Sequence, residues 1–181
     1  MTASNGICQL DAAQMEATLQ RLAGEILQSL EGQGQLVLLG IRSRGLPLAE
    51  RMGELLRAAS GQPVPVGALD ITLYRDDLTE KAGTPIVRPT EIPFSLKERT
   101  VLLVDDVIFT GRTVRAALDA LLDHGRPRSV RLAVLVDRTG RELPIQPDFT
   151  GIRVEVKRTE RIAVHVAERD GDDGVFLEQL P

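Results

Sequence analysis

The sequence predicts an α/β fold built on a mostly parallel central sheet flanked by helices. Three observations carry this. The apolar runs "QLVLLGI" (35–41), "TVLLV" (100–104) and "VRLAVLV" (130–136) are continuous rather than alternating, as in strands buried on both faces. Segments with the three-to-four spacing of amphipathic helices stand between them. Each apolar run is also bounded by glycine, proline or charge, which makes it too short for a helix of its own.

The elements follow in order. Met15, Leu19, Leu22, Ile26 and Leu30 recur at helical spacing, so residues 11–30 are a predicted helix, with Gly32 and Gly34 ending it. "QLVLLGI" is the first buried strand, and "RSRG" (42–45) follows it. Pro47 suits the first turn of the next helix, whose apolar face is Leu48, Met52, Leu55 and Leu56. "PVPVGALDITLY" (63–74) reads as extended. Residues 75–95 are charged and rich in Pro and Gly, too long for a plain connection, and are either a functional flap or a hairpin. After the strand "TVLLV", the residues Val114, Ala117, Leu118, Leu121 and Leu122 mark a helix that Gly125 and Pro127 stop. "VRLAVLV" is the next strand, and "IRVEV" (152–156) and "RIAVHV" (161–166) alternate. There is no internal repeat and no low-complexity segment.

Composition narrows the function classes. The chain of 181 residues suits a single domain, 1–181, with one sizeable core; 43% of it is hydrophobic and 27% charged. A net charge of −4 excludes a global pull toward nucleic acid. The single Cys8 excludes an internal disulfide and suits a reducing compartment, and with only His124 and His165 beside it no zinc site can form. No basic segment with a long apolar run opens the chain, and no stretch approaches the ~20 apolar residues of a membrane span. The expectation is a cytoplasmic protein with no membrane partner. Charge is uneven, however. Residues 126–161 hold 9 basic and 5 acidic side chains, a net +4, while the segments on either side are each net −4. That block is either a polyanion surface or a solvated face.

The chemistry concentrates in "VLLVDDVIFTGRTVRAALDALL" (101–122). Asp105 and Asp106 stand at the carboxyl end of a buried strand, where open parallel sheets bind ligands. Two carboxylates so close repel, and a useful partner is a vicinal diol, a divalent metal, or both. The loop from Ile108 to Thr113 then opens a helix, whose free N–H groups favour a phosphate. Gly111 allows close backbone approach, and Thr110 and Thr113 add hydroxyls. Arg112 brings either its charge or only its N–H. Diol and phosphate recognition about one ribose apart fit a 5-phosphorylated ribose. The plainer reading, acids ending a strand and a Thr capping a helix, leaves the coincidence of acid pair, Gly and two Thr unexplained. A P-loop would need G-x-x-x-x-G-K-S/T, an aspartate-nucleophile phosphatase D-x-D, and a nicotinamide fold G-x-G-x-x-G, all absent.

This segment resembles the phosphoribosyl-pyrophosphate motif of type I phosphoribosyltransferases. "VGALDITLYRDDL" (66–78), "VLVDR" (134–138) and "RELPI" (141–145) extend the resemblance over nearly the whole chain, to the branch of bacterial pyrimidine-operon regulators that are also uracil phosphoribosyltransferases. The resemblance implies that type I fold, with a flexible flap at about 70–95 and a small hood from about 137–181 plus N-terminal parts. It implies that Asp105 and Asp106 hold the ribose hydroxyls, directly or with Mg²⁺ brought by the substrate. Residues Thr110, Gly111, Arg112 and Thr113 would hold the 5′-phosphate, with Val107, Ile108 and Phe109 lining the same site. Ser43 and Arg44 would contact pyrophosphate in a loop that often carries a non-proline cis peptide. Arg75 and Arg88 would belong to the flap, and Asp137 and Arg138, with backbone near Ile162, would frame uracil. The implied partners are uracil, phosphoribosyl pyrophosphate and UMP or UTP, in a homodimer or homotetramer. No residue is assigned as general base; Arg44, Asp105 and Asp106 act by position and charge.

The second implied activity is uridine-nucleotide-dependent binding to pyrimidine-operon leader mRNA. Here the sequence departs from the family pattern. It reads "RLAGE" (21–25) where relatives tend to read "RIAHE", "DRTGRELPI" for "DRGHRELPI", and "IRVEVKRTE" for "NIPTSKSE". Arg21, Arg126, Arg128, Lys157, Arg158 and Arg161 are the candidate RNA contacts. An enzyme without RNA regulation, or one for another base, are the alternatives.

Overall fold

The computed structural model of the chain describes residues 6–30, 34–76 and 87–180. Its elements are β1 (Ile7–Leu10), α1 (Ala12–Leu30), β2 (Leu36–Ile41), α2 (Gly45–Ser60), β3 (Val66–Leu69), a 3-10 turn (Thr72–Tyr74), β4 (Thr100–Ile108), α3 (Arg112–Asp123), β5 (Ser129–Arg138), β6 (Phe149–Val154), β7 (Glu160–His165), a single helical turn α4 (Ala167–Asp170) and β8 (Gly174–Gln179). Five strands form a wholly parallel sheet in the order β3-β2-β4-β5-β6. A second sheet, β1-β8-β7, is antiparallel.

Local chemistry accounts for the helices. Asp11 and Gln14 cap α1 reciprocally: the Gln14 N–H donates to Asp11 Oδ1 at 2.8 Å and the Asp11 N–H to Gln14 Oε1 at 3.0 Å. All five apolar residues read for this helix are buried. Helix α2 ends on Gly61, left-handed at φ 71°, whose N–H donates to Arg57 O. In α3 the predicted face is buried at Val114, Ala117 and Leu121, but Leu122 is 61% exposed. It lies a further ~100° round the helix from Leu121, past the edge of the buried stripe.

The parallel sheet is covered on both sides. Along β4, Leu102 and Val104 face a cluster with Met15, Ile26, Met52 and Leu56 of α1 and α2. Val101 and Leu103 face a second cluster with Val114, Ala117 and Leu121 of α3. The small sheet joins the first cluster through Leu10, Val164 and Val175. Two of its strands, the edge strand β1 and the central strand β8, escaped the sequence reading, because each is short and neither alternates cleanly. Strand β6, inside the stretch 137–181 expected as hood, belongs to the parallel sheet instead.

The extended reading of 63–74 holds only for 66–69; the chain then turns at Thr72–Tyr74. Asp70 imposes the turn by accepting the Thr72 N–H at 3.0 Å and the Thr72 hydroxyl at 2.6 Å. Its other oxygen accepts the Arg88 N–H, and Ala68 pairs with Glu91 in an antiparallel bridge. The two ends of the expected flap thus run together. Its middle, 77–86, lies outside the described residues, as does Gly32.

Candidate active site

In the parallel sheet, connections run outward from β2 to β3 on one side and from β4 to β5 and β6 on the other. The order therefore reverses between β2 and β4, and a crevice opens at their carboxyl ends. The loop 42–44 leaves β2 there, with a cis peptide between Arg42 and Ser43. It passes so close over β4 that a Cβ on Gly45 would sit 2.4 Å from Val104 O. Only glycine allows that approach, which brings the loop against Asp105.

Asp105 is buried, 6% exposed, and Asp106 is half-buried. The Asp106 N–H donates to Asp105 Oδ1 at 3.0 Å and the Val107 N–H to Asp106 Oδ1 at 2.9 Å. Burial, and then the charge of Asp106, push the Asp105 carboxyl well above the usual range; the charge of Arg75 opposes this. Burial also raises Asp106, against hydrogen bonds from its neighbours and the charge of Arg44. Two acids are thus held where neither is comfortable ionised, as a site awaiting hydroxyl donors or a cation would be.

Downstream, residues 107–113, Arg75 and Asp76 line a cavity of ≈ 220 Å³. Gly111 is left-handed at φ 94° directly before α3, and the Thr110 hydroxyl accepts the Arg112 N–H at 3.3 Å. The Arg112 side chain is committed elsewhere, with Nη1 donating to Asp76 at 2.6 Å and Nε to Glu142 at 2.9 Å. Of the two groups left open for Arg112, the guanidinium is thus paired with two carboxylates, and the backbone N–H lies at the helix start against the Thr110 hydroxyl.

These features, an acid pair at the switch point and a left-handed glycine opening a helix five residues on, coincide with a family match over residues 9–168. The chain belongs to the phosphoribosyl transferase domain family. It is 53% identical over 168 residues to the Bifunctional protein PyrR of Pelotomaculum thermopropionicum, covering 93% of each chain. The Bifunctional protein PyrR of Thermus thermophilus is 54% identical over the same length and coverage. Among solved structures, the hypoxanthine phosphoribosyltransferase of Trypanosoma cruzi superposes with a TM-score of 0.75, over 97% of this chain and 96% of that one. At 16% identity that likeness shows the type I phosphoribosyltransferase fold alone.

Within this phosphoribosyl transferase domain, Arg44 lies at the start of α2, and its Nε and Nη2 form a fork on Asp170 at 3.0 and 2.8 Å. The Asp170 hydrogen bonds raise the Arg44 pKa and hold that of Asp170 down. Asp137 accepts from Arg141 Nη2 at 2.6 Å, with Arg153 Nε 3.7 Å away. The Arg138 guanidinium lies 3.8 Å from the Phe109 ring centroid, and burial draws its pKa down. Asp137, Arg138, Arg141 and Arg153 line a cavity of ≈ 470 Å³. Ile162 is half-buried on β7, packed against the first core cluster. Arg88 is exposed, with its N–H on Asp70.

The basic block does not form one surface. Arg126 and Arg128 precede β5, whereas Lys157 and Arg158 follow β6, which is parallel to it. The two pairs stand at opposite ends of the sheet, ~30 Å apart for a strand of this length. Arg21 is occupied as well, donating to the Thr150 and Gly151 carbonyls at 3.3 and 2.6 Å and pairing with Glu25. Arg161 pairs with Glu178 across β7 and β8. Of the two readings of the 126–161 block, this separation favours a solvated face over one continuous polyanion surface. Arg141, Asp170 and Asp76 were missed. "RELPI" contains the first, but nothing in a sequence says that a guanidinium will bridge the end of β5 and the loop after β4.

Proposed function

We propose that the chain transfers the phosphoribosyl group from phosphoribosyl pyrophosphate to uracil, giving UMP and pyrophosphate, and that it also regulates pyrimidine-operon expression through leader RNA. The observation that carries the enzymatic reading is the strand-end pair Asp105–Asp106 leading within five residues to left-handed Gly111 and the start of α3. The relatives named Bifunctional protein PyrR support the second activity.

In the reaction the bond from the ribose anomeric carbon to pyrophosphate oxygen breaks, and a bond to a uracil nitrogen forms as that nitrogen loses its proton. Asp105 and Asp106 accept from the ribose hydroxyls and place their negative charge near the carbon that gains positive character. The N–H groups around Gly111 and Thr113 fix the 5′-phosphate. The 42–44 loop and Arg44 receive the pyrophosphate, and residues of the 70–95 flap, including Arg75 and Arg88, close over it. Asp137 and Arg138 frame the base. Positioning and electrostatics supply the acceleration, with no protein nucleophile.

Among the described residues no group of three or more His, Cys, Asp or Glu side chains could hold a metal. Asp105 and Asp106, two adjacent carboxyls that burial disfavours as ions, would hold a Mg²⁺ brought with the substrate. Bound there, it would supply charge to stabilise the departing pyrophosphate. Among the described residues no helix is long and apolar enough to cross a membrane.

The test has two arms. Labelled uracil, orotate and hypoxanthine are each offered with phosphoribosyl pyrophosphate and Mg²⁺; turnover with uracil alone is expected, and turnover only with another base would replace the assignment. Leader RNA is then titrated by filter binding with and without UMP. A UMP-dependent gain is expected; its absence would leave an enzyme without the regulatory activity, a reading that the scattered basic residues favour.

A further inference from the structure

We propose that Arg141 is a positioning residue for the 5′-phosphate cradle, acting through the carbonyl of Phe109. The proposal rests on reading residues 109–113 as that cradle. Its observations lie in a strap, residues 138–143, that clasps the loop from behind. Arg141 Nη1 donates to Phe109 O at 2.5 Å. The Glu142 and Leu143 N–H groups both donate to Thr110 O, at 3.0 and 2.9 Å. The Cα of Gly111 rests against the strap, since a Cβ there would meet Leu143 Cβ at 3.3 Å and Arg141 Cδ at 3.6 Å.

The planarity of the trans peptide turns these contacts into a statement about the cavity. In each peptide plane the C=O and the following N–H point in opposite directions. Anchoring Phe109 O and Thr110 O on the strap therefore aims the Thr110 and Gly111 N–H groups the other way. The cavity of residues 107–113 lies on that other side, and no residue of the strap lines it. Two successive N–H groups facing one concavity make an anion nest. The strap builds the nest by holding its carbonyls.

Arg141 is the member of the strap that can transmit. Its side chain is only 16% exposed, and Nη2 is held on Asp137, near the end of β5 where the base is expected to be framed. One guanidinium thus ties the end of β5 to the loop after β4. Phe109 is gripped further by the Arg138 guanidinium and by Gly140, where a Cβ would sit 2.3 Å from the ring. Gly140 itself is left-handed, at φ 111°, a conformation that side chains rarely adopt. In this chain the strap approaches the Phe109 ring in a way that no side chain at 140 would permit.

The experiment compares UMP and uridine binding by calorimetry in the wild type, Arg141→Met and Arg141→Lys, with thermal melting alongside. The readout is the ratio of uridine Kd to UMP Kd, the share of affinity that the phosphate contributes. Loss of a charge-assisted anchor is expected to lower that ratio about tenfold in Arg141→Met. Lysine keeps the charge and reaches one acceptor, not two, so Arg141→Lys should fall between. A merely structural role would weaken both ligands alike and leave the ratio unchanged. Should Arg141→Met fail to fold, the ratio in Arg141→Lys decides. A wild type that binds UMP no better than uridine would overturn the phosphate reading itself; a clear wild-type preference retained in the folded variants would overturn only the role of Arg141.

Discussion

Replacing Asp105 with Asn should make the protein more stable and nearly inactive at once. The change is close to isosteric, and the amide oxygen can still accept the Asp106 N–H that Asp105 Oδ1 accepts at 3.0 Å. What it removes is one charge from a pair that burial and mutual repulsion disfavour. A buried ion carries a penalty of several kcal/mol, and the charge of Arg75 with the backbone hydrogen bond offsets part of it. A net gain on the order of 1–2 kcal/mol remains, which for a chain of this size is about 2–8 °C in Tm. The pH dependence follows from the direction of the shift. A carboxyl whose folded pKa is raised holds its proton more tightly when folded, so its contribution is favourable below the unfolded value of 3.8 and is lost as pH rises through the folded pKa. The variant and the wild type should therefore melt together near pH 3.5 and diverge toward pH 7.5, with the variant higher. Calorimetric melts across that range, beside UMP formation from labelled uracil, make the measurement. A variant that melts below the wild type at pH 7.5, or a Tm gap that does not change with pH, would refute the account of the acid pair.

Three further outcomes are expected. Gly111→Val with Thr113→Val should weaken UMP binding at least several-fold and uridine binding much less, because valine is strained at φ 94° and a hydroxyl is removed; equal weakening for both ligands would speak against the cradle. Asp170→Asn should raise the KM for phosphoribosyl pyrophosphate several-fold with little change for uracil, since it loosens the fork that orients Arg44; an unchanged KM would mean that Arg44 does not act from that geometry. Because Lys157 and Arg158 stand at the other end of the sheet from Arg126 and Arg128, Ala substitution of only one of these pairs should weaken leader-RNA binding and flatten its salt slope by roughly one unit for each RNA phosphate no longer neutralised. Filter binding over a salt series decides which pair acts, and equal weakening from both would contradict the separation.

Much of the fold was legible because strands buried on two faces must be continuously apolar. "QLVLLGI", "TVLLV" and "VRLAVLV" all fall in the parallel sheet, at β2, β4 and β5. The small sheet was not legible in the same way. Ile7 is 66% exposed, and β1 is a strand only by virtue of pairing with β8 at the far end of the chain. Leu122 was misplaced for a related reason: helical spacing marks a stripe but not its edges, and the neighbouring alanines Ala116 and Ala120 are buried in its stead.

By itself the sequence determined the parallel core and the segment from Asp105 to Thr113, where acids, glycine and threonines lie within nine residues and one strand–loop–helix turn places them. Only the tertiary structure decided which distant groups meet that segment. Arg141 reaches Phe109 across 32 positions, Asp170 reaches Arg44 across 126, and Arg21 reaches Thr150 across 129. Tertiary structure likewise split a basic block that looks continuous in the chain. The reason lies in what each level encodes. Periodicity and turn chemistry act over a few residues, whereas contacts across the sheet depend on strand order and direction, which only the packing of the whole core selects.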